Sequence, residues 1–545
     1  MRREQVFSGW GEPGAGPPLP DHAVGFLRSA FGLDGGVVAA PPSDVSDVEL
    51  PAPALDRGAR DRLVEIVGEA HVRSDHAIRV LRAAGKSYLD LLVLRSGVVA
   101  AAPDAVVAPG SAAEVQAILS ACAGTGVAVV PFGGGTSVVG GLAPLRGVHD
   151  AVISLDLGRL DRLIAIDERS MTARFEPGIR LPEADHALSA RGYALGHHPQ
   201  SYEWATIGGC VATRSSGQAS TGFGRIDQHV VAVRCATPAG ELATLPVPAT
   251  AAGPSLREVI VGSEGTLGVL TECTLKVRPL ATARRYELWF LRSFPEGREV
   301  LRDLVQHGLA PDVTRLSDEA ETRMTLALAG AGSLRSRVEG GLLRARGYGD
   351  GSALIVGWEG DAEDVARRRA PAVRRLRTAG GLFAGTGPGE RWRVGRYGAP
   401  HLRDDLMDRG VLVETLETAT TWSNLERLYG AVGDALRASL AARGTPPVVG
   451  CHLSHVYAAG ASLYFTVLAA QDRADPVGQW VAAKNAACTA IVAAEGTITH
   501  HHAVGRDHAG YLGAEVGPLG LDVLRSVRER CDPSGIMNPG KLLPD

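Results

Sequence analysis

The chain has 545 residues, of which 45% are hydrophobic and 21% charged, with a formal net charge of -4. That length exceeds one core and allows about two or three domains. The balance is that of a soluble globular protein and argues against a nucleic-acid surface as the main business. No apolar run reaches the roughly 20 residues needed to span a bilayer, so any membrane contact is expected to be peripheral.

The first 50 residues are rich in proline and glycine, as in "GWGEPGAGPPLPDH". This suits either an extended arm lying on the body or a disordered tail. Further on, "PGSAAEVQAILSACAGTG" predicts a helix. Ser111 and Glu114 form a capping box, Val115, Ile118, Leu119 and Cys122 recur at helical spacing, and Gly124 and Gly126 close the segment. A buried strand, "VAVVP", comes next, then the glycine loop "FGGGTSVVGGL" and a second strand, Ala151 to Leu157.

The glycine loop therefore joins strand to strand. A dinucleotide fingerprint needs its glycines to open a helix, and no helix pattern follows here. The physical reading left for it is a nest of backbone N–H groups, Gly133 to Ser137, converging on an anion. A tight turn is the plainer alternative for this loop alone. Two further stretches of small and hydroxyl residues follow, "HHPQSYEWATIGGCVATRSSG" from His197 and "GSEGTLGVL" from Gly262. Three such segments within about 140 residues exceed what turn chemistry requires. Together they suggest one long ligand threaded across several loops. From Leu267 to Val277 the third stretch continues as a predicted strand, ended by Pro279.

Seven cysteines are scattered with no CxxC pair. Without a signal-peptide pattern, such a set reads as reduced thiols in a cytoplasm, with no disulfides. The terminal Leu543-Pro544-Asp545 is not a peroxisomal tripeptide signal.

With these residues in view, the chain resembles the FAD-binding oxidoreductases that include vanillyl-alcohol oxidase and the D-lactate dehydrogenases. Within them it is most similar to the alkyldihydroxyacetonephosphate synthase family. The likeness runs through "WGE", "PFGGGTS", "GGCVATRSSG", "EGTLGVL", "TRLSD", "LRDDL", "LETATTW", "HLSHVYAAGASLYF", "THHHAVG" and "DPSGIMNPGKLL".

The resemblance implies an α+β fold. A two-part FAD-binding domain of the PCMH type would carry a substrate-capping domain on an antiparallel sheet, as in vanillyl-alcohol oxidase. The expected divisions are an N-terminal arm with helices at 1–97, the FAD domain at 98–281, the cap at 282–500, and a C-terminal return at 501–545. FAD contacts would fall on Pro131, Phe132, Gly133, Gly134, Gly135, Thr136 and Ser137, and on Gln200, Ser201, Tyr202, Glu203, Trp204, Ala205 and Thr206. They would continue on Thr213, Arg214, Ser215 and Ser216, and on Glu264, Gly265, Thr266, Leu267, Gly268, Val269 and Leu270. Some relatives bind FAD covalently through a histidine in the first loop. Thr136 stands at that place, so noncovalent FAD is expected.

Read as a strand, "ASLYFTVL" puts Leu463, Phe465 and Val467 on one face and Tyr464 and Thr466 on the other, more polar one. By similarity Tyr464 and the run His500, His501, His502 are catalytic, with His501 the general base. His452 and His455 keep metal ligation open in principle. Lactate dehydrogenases that hold a metal nearby carry a "GDGN" stretch, whereas this chain has "HVYAAGAS", without the carboxylate. No metal is therefore expected.

Arg315 and Arg403 resemble substrate-binding positions, since a guanidinium can hold a phosphate through two donors. The plainer alternative is surface salt bridges with Asp318 and Asp404. "RRRAPAVRRLR", Arg367 to Arg377, reads as a solvated helix face. Two departures stand out: Asn424 occupies a position where eukaryotic members carry arginine, and "NPGK" (Asn538 to Lys541) is commoner in ordinary FAD dehydrogenases of this fold.

The reaction implied consumes no electron acceptor. Acyl-dihydroxyacetone phosphate loses a proton at the carbon bearing its ester, its fatty acid leaves and a long-chain alcohol takes its place, with FAD supplying an electrophile and electron sink. A homodimer is the assembly expected. The rival reading is an FAD-linked dehydrogenase or oxidase of a hydroxy acid or alcohol.

Overall fold

The computed structural model describes residues 4–14, 19, 21–38, 41, 44–328, 341 and 343–544. Three sheets carry the molecule. The first has strands β1 (Val72–Arg73), β2 (Ala105–Val107), β3 (Val127–Phe132) and β4 (Ala151–Asp156), ordered β1-β2-β4-β3. Its β2, β4 and β3 run parallel, as expected where a helix crosses between strands.

That helix is Ala112–Thr125. Ser111 accepts from the Glu114 N–H at its start, and Gly126 takes the left-handed conformation at its end. The second half of the expected capping box lies one residue upstream. The Glu114 carboxylate accepts from Gly110 N–H at 2.7 Å rather than from Ser111. Val115, Ile118, Leu119 and Cys122 face the core of this sheet.

Residues 133–150 connect β3 to β4, so the glycine loop does join strand to strand. The second sheet comprises β5 (Leu163–Asp167), β6 (Thr172–Phe175), β8 (Val230–Thr237), β9 (Gly240–Ala243) and β10 (Val269–Lys276), ordered β5-β6-β10-β8-β9 and antiparallel. A two-strand ribbon, β7 (Tyr193–Ala194) with β11 (Arg278–Pro279), flanks it.

β10 begins two residues later than the sequence pattern suggested. Glu264 (φ 53°) and Gly265 (φ 75°) sit in left-handed conformation, and Thr266 closes a turn on Ser263, so pairing starts only at Val269. The middle Gly/Ser/Thr stretch also differs from expectation. Beyond Thr206 it forms a short helix, Ile207–Thr213, capped by the Thr206 hydroxyl.

The third sheet is antiparallel throughout. Its strands are β12 (Ala283–Leu291), β13 (Val313–Ser317), β14 (Ser352–Gly360), β15 (Leu382–Gly385), β16 (Val411–Thr421), β17 (Val448–Leu453) and β18 (Gly460–Ala470), ordered β15-β12-β14-β13-β17-β18-β16. Trp289, Trp358 and Phe465 from its strands and Trp480 from the helix Pro476–Ala493 anchor its core, which the helix Leu425–Ala442 also helps to build.

The chain then returns to the first sheet. Val129 donates to Ile536 O and accepts from Asn538 N–H, and Ile536 and Met537 are fully buried. At the other end, residues 4–14 form an arm on the body. Phe7 and Trp10 are buried, Lys86 donates to the carbonyls of Val6 and Phe7, and Trp10 N–H donates to Asp404 at 2.6 Å. The helix Ala362–Thr378 carries the arginine-rich run. Far from being uniformly solvated, it sends Arg368 to Asp312 and Asp364 and Arg369 to Glu287.

Candidate active site

All three sheets contribute walls to one cavity of about 620 Å³. The first gives Pro131, Phe132, Gly133, Gly134, Thr136 and Ser137. The second gives Glu264, Gly265, Gly268, Val269 and Leu270, and the connection from β7 to β8 gives Gln200, Ser201, Ala205, Thr206, Thr213, Ser215 and Ser216. The third gives Thr415, His452, His455, Tyr464 and Thr466, and the following loop adds His501 and His502. Side chains on the near walls are small because backbone meets backbone: a Cβ on Gly134 would run into the Trp204 carbonyl, and one on Gly268 into the Ala236 carbonyl.

Strand pairing explains the aromatic cluster. Glu417, Tyr464 and His452 lie directly opposite one another on β16, β18 and β17, so they share one face of the sheet. Leu463, Phe465 and Val467 point the other way into the core. His452 stacks on Tyr464 with ring centroids 4.7 Å apart, and His501 stacks on the same ring at 5.9 Å. His502 meets it edge-on at 5.5 Å.

The Tyr464 hydroxyl donates to Thr415 Oγ1 at 3.0 Å. Burial pushes its pKa up to about 12, so it remains a proton-bearing phenol near neutrality. Burial likewise lowers His501 below the ordinary imidazole value, with Glu417 pulling the other way, and lowers His502 to about 3. Both imidazoles are thus neutral and able to accept a proton.

His452 is already committed. Its Nδ1 lies 2.8 Å from Glu321 Oε1, and its Nε2 lies 3.1 Å from Arg315, which can only donate. Nδ1 therefore carries the proton, donated to Glu321. Burial alone would raise Glu321, but His452 and Arg315 beside it hold it down to about 2.

Both expected arginines reach the cavity wall. Neither is a surface salt bridge: their side chains are only 27% and 12% exposed. Arg315 pairs with Glu321 at 3.0 Å rather than with Asp318, which instead caps the helix Glu319–Leu328 and accepts from Tyr429. Arg403 is steadied by Asp404 at 3.3 Å and by donation to Lys86 O. Beyond them the wall turns apolar, with Met324, Leu328, Leu402, Leu406, Val413 and Leu468.

Eight of the residues expected at the site do not line this cavity. Gly135 (φ 72°) turns against the Phe132 ring, toward a smaller neighbouring cavity. Tyr202 donates to Asp185 and stacks on Tyr397. Glu203 is exposed, and Trp204 lies under the Arg180 guanidinium. Arg214 turns to Glu258 and the Val261 carbonyl. Thr266 closes its own turn on Ser263 O, and Leu267 is buried behind it. His500 stands behind His501, stacked on His455 at 5.1 Å, with Nε2 2.7 Å from the Tyr457 hydroxyl.

Conversely, sequence reasoning gave no role at the cavity to Trp10 or Asn538, and raised His455 only as a candidate metal ligand; all three line it. Asn538 holds two walls together, donating to Glu264 O at 2.7 Å and Gly141 O at 3.3 Å, while Lys541 donates to Ala143 O. The "NPGK" departure was the available signal. Asn424, the other departure, lies outside the cavity and ties Thr420 to the Ala494 carbonyl.

The donor set fits FAD. Gln218 Oε1 and Asn538 Oδ1 are buried acceptors on the wall with no protein partner, the complement of an isoalloxazine edge that offers N–H. Among the described residues, the ring nitrogens of His455, His500 and His501 form the one group that could hold a metal ion, all within 4.8 Å. Two of them already face each other at 3.0 Å as a hydrogen bond.

Comparison with known proteins agrees with the cofactor. Residues 103–246 match the FAD binding domain family, and residues 280–542 match the C-terminal domain of FAD linked oxidases. The chain is 31% identical to the alkyldihydroxyacetonephosphate synthase of Trypanosoma brucei brucei, over 99% of this chain and 92% of that protein. A solved alkyldihydroxyacetonephosphate synthase superposes with a TM-score of 0.84 at 27% identity, covering 98% of both chains. p-Cresol methylhydroxylase shares the fold, with a TM-score of 0.69 at 15% identity. This α+β, FAD-dependent enzyme belongs to the alkyldihydroxyacetonephosphate synthase family.

Proposed function

We propose that the protein replaces the acyl chain of acyl-dihydroxyacetone phosphate with a long-chain fatty alcohol, forming an ether. One observation carries this reading: two half-buried arginines and a long apolar wall line the same cavity as His501 and Tyr464. A small hydroxy acid would need an arginine but not the apolar wall. A phosphorylated substrate with a fatty chain uses both.

In this scheme Arg403 holds the phosphate and Arg315 supports it. The chain runs along Met324, Leu406 and Leu468. His501, neutral and stacked on Tyr464, accepts the proton from the carbon bearing the ester. The Tyr464 phenol, kept protonated by burial, donates to oxygen as charge builds there. The loops at Pro131, Thr206, Ser215 and Glu264 would hold FAD. When bound, FAD supplies the electrophile and electron sink that allow substitution without a net oxidant.

Thr136, in place of a histidine, supports noncovalent attachment. Acid precipitation should release the yellow colour into the supernatant. Seven free, buried cysteines suit a reducing, cytoplasmic setting. No helix among the described residues is long and apolar enough to cross a membrane, so lipid substrates would be met at its surface. Two copies per assembly are part of the same reading.

The test is a product assay with palmitoyl-dihydroxyacetone phosphate and hexadecanol. Ether product with no electron acceptor added is the expected outcome. Persistent bleaching of the flavin by a hydroxy acid, with no ether formed, would establish the dehydrogenase instead.

A further inference from the structure

Glu417 does not line the cavity, yet the histidine run proposed to take the proton there is arranged by it. It is one of two buried carboxylates on β16, the edge strand of the third sheet, and it is 2% exposed; the other, Glu414, accepts from the Tyr88 and Thr415 N–H groups instead. The histidine loop runs along that edge. Thr497 N–H donates to Ala419 O, and Thr418 donates to Thr497 O at 2.6 Å.

One turn later the loop wraps around the Glu417 carboxylate. Oε2 accepts the His500 N–H at 2.6 Å, and Oε1 accepts the His501 N–H at 3.0 Å and the His502 N–H at 2.8 Å. The Thr499 hydroxyl adds a fourth donor at 2.6 Å. Three consecutive peptide donors converging on one buried carboxylate fix the backbone of the whole histidine run.

The same carboxylate acts on the His501 ring. Its Oε2 lies 3.5 Å from His501 Nδ1. A lone pair at Nδ1 would face a negative charge in a low-dielectric interior, whereas an N–H there is attracted. The neighbouring contact agrees. His501 Nδ1 and His500 Nδ1 lie 3.0 Å apart, so one of them must donate. With the proton on His501 Nδ1, His500 accepts there and keeps its own proton on Nε2, toward the Tyr457 hydroxyl 2.7 Å away. Every nitrogen in the row then has a consistent role, and His501 Nε2 is left bare.

We propose that Glu417 is the positioning residue of this site: it holds the His500–His502 backbone and fixes His501 in the tautomer whose free Nε2 takes the substrate proton. The proposal rests on the reading of His501 as base. Burial opposes ionisation of Glu417, but the imidazole cluster and the converging donors hold its pKa well below the ordinary carboxylate range.

The experiment compares Glu417→Gln with wild-type holoenzyme by isotope-labelled imidazole NMR and by steady-state kinetics, with the His501 signals assigned by their loss in His501→Gln. Wild type should show His501 protonated at Nδ1. Glu417→Gln should shift that tautomer, lower kcat about 100-fold, and leave FAD content and KM unchanged. A wild-type His501 protonated at Nε2, or a Gln variant with kcat within about 3-fold of wild type, overturns the proposal. If Glu417→Gln does not fold, the wild-type tautomer decides alone. If wild type makes no ether, the functional reading fails, while the tautomer and its dependence on residue 417 still test the assignment to Glu417.

Discussion

His501, Tyr464 and Arg403 divide the work at the cavity, and each can be removed without its neighbours. His501→Ala should lower kcat by about 100- to 10,000-fold, the range for a lost general base, with FAD retained, because no cofactor-loop residue leans on that ring. Tyr464→Phe keeps the ring on which His452 and His501 stack. Any fall in kcat there reports the hydroxyl alone. Arg403→Lys should act on KM. It loses the fork that reaches both Asp404 and the Lys86 carbonyl, and a lost charged hydrogen bond of about 1.5–3 kcal/mol raises KM roughly 10- to 100-fold. Equal KM values for wild type and Arg403→Lys would remove Arg403 from phosphate binding. Asn424→Arg should change neither constant, since Asn424 serves only a loop outside the cavity.

The elements differ in how plainly they are written in the chain. The helix Ala112–Thr125 was legible because its signals are local: a serine cap, an apolar stripe and a left-handed glycine. The glycine loop was legible as a strand-to-strand connection for the same reason. The motifs were less reliable as rolls of contacts, because a run that touches a ligand does so with only part of its side chains. Tyr202, Glu203 and Trp204 turn outward between Ser201 and Ala205, which line the cavity. Glu417 was illegible as a functional residue since its donors lie more than 80 positions away. A second buried glutamate, Glu414, lies on the same strand, so an acid in an apolar strand did not single it out. Close approach between loops yields a further test. Gly134→Ala would drive a methyl into the Trp204 carbonyl and push the first two cofactor loops apart. Purified Gly134→Ala should therefore carry a reduced ratio of flavin to protein absorbance with its fold intact; full flavin occupancy would show that this contact can give.

At the scale of the molecule, the three sheets and the returning C-terminal segment enclose a set of imidazoles that stay neutral, and this makes the fold sensitive to acid. Nine of the sixteen histidines are lowered below their ordinary value, in each case chiefly by burial: His197, His198, His229, His452, His455, His500, His501, His502 and His508. His198, His500 and His502 fall to about 3 and His508 to about 4. Unfolded, each titrates near 6.5. Between that pH and the folded values the unfolded chain binds protons that the folded chain refuses, so stability is complete above about 6.5 and drains away below it. Each such histidine adds at most about 1.4 kcal/mol per pH unit. Seven carboxylates raised by burial have the opposite sign and favour the fold as pH falls: Glu264, raised to about 7, Asp318, raised to about 6, and Asp90, Asp185, Asp312, Asp405 and Glu414. They are outnumbered. The thermal midpoint of the holoprotein should therefore drop steadily from pH 7 to pH 5, with flavin release, and the slope should be shallower in His502→Gln. A midpoint flat across that range would mean that the buried imidazoles are charged in the fold, and with them the base would be lost.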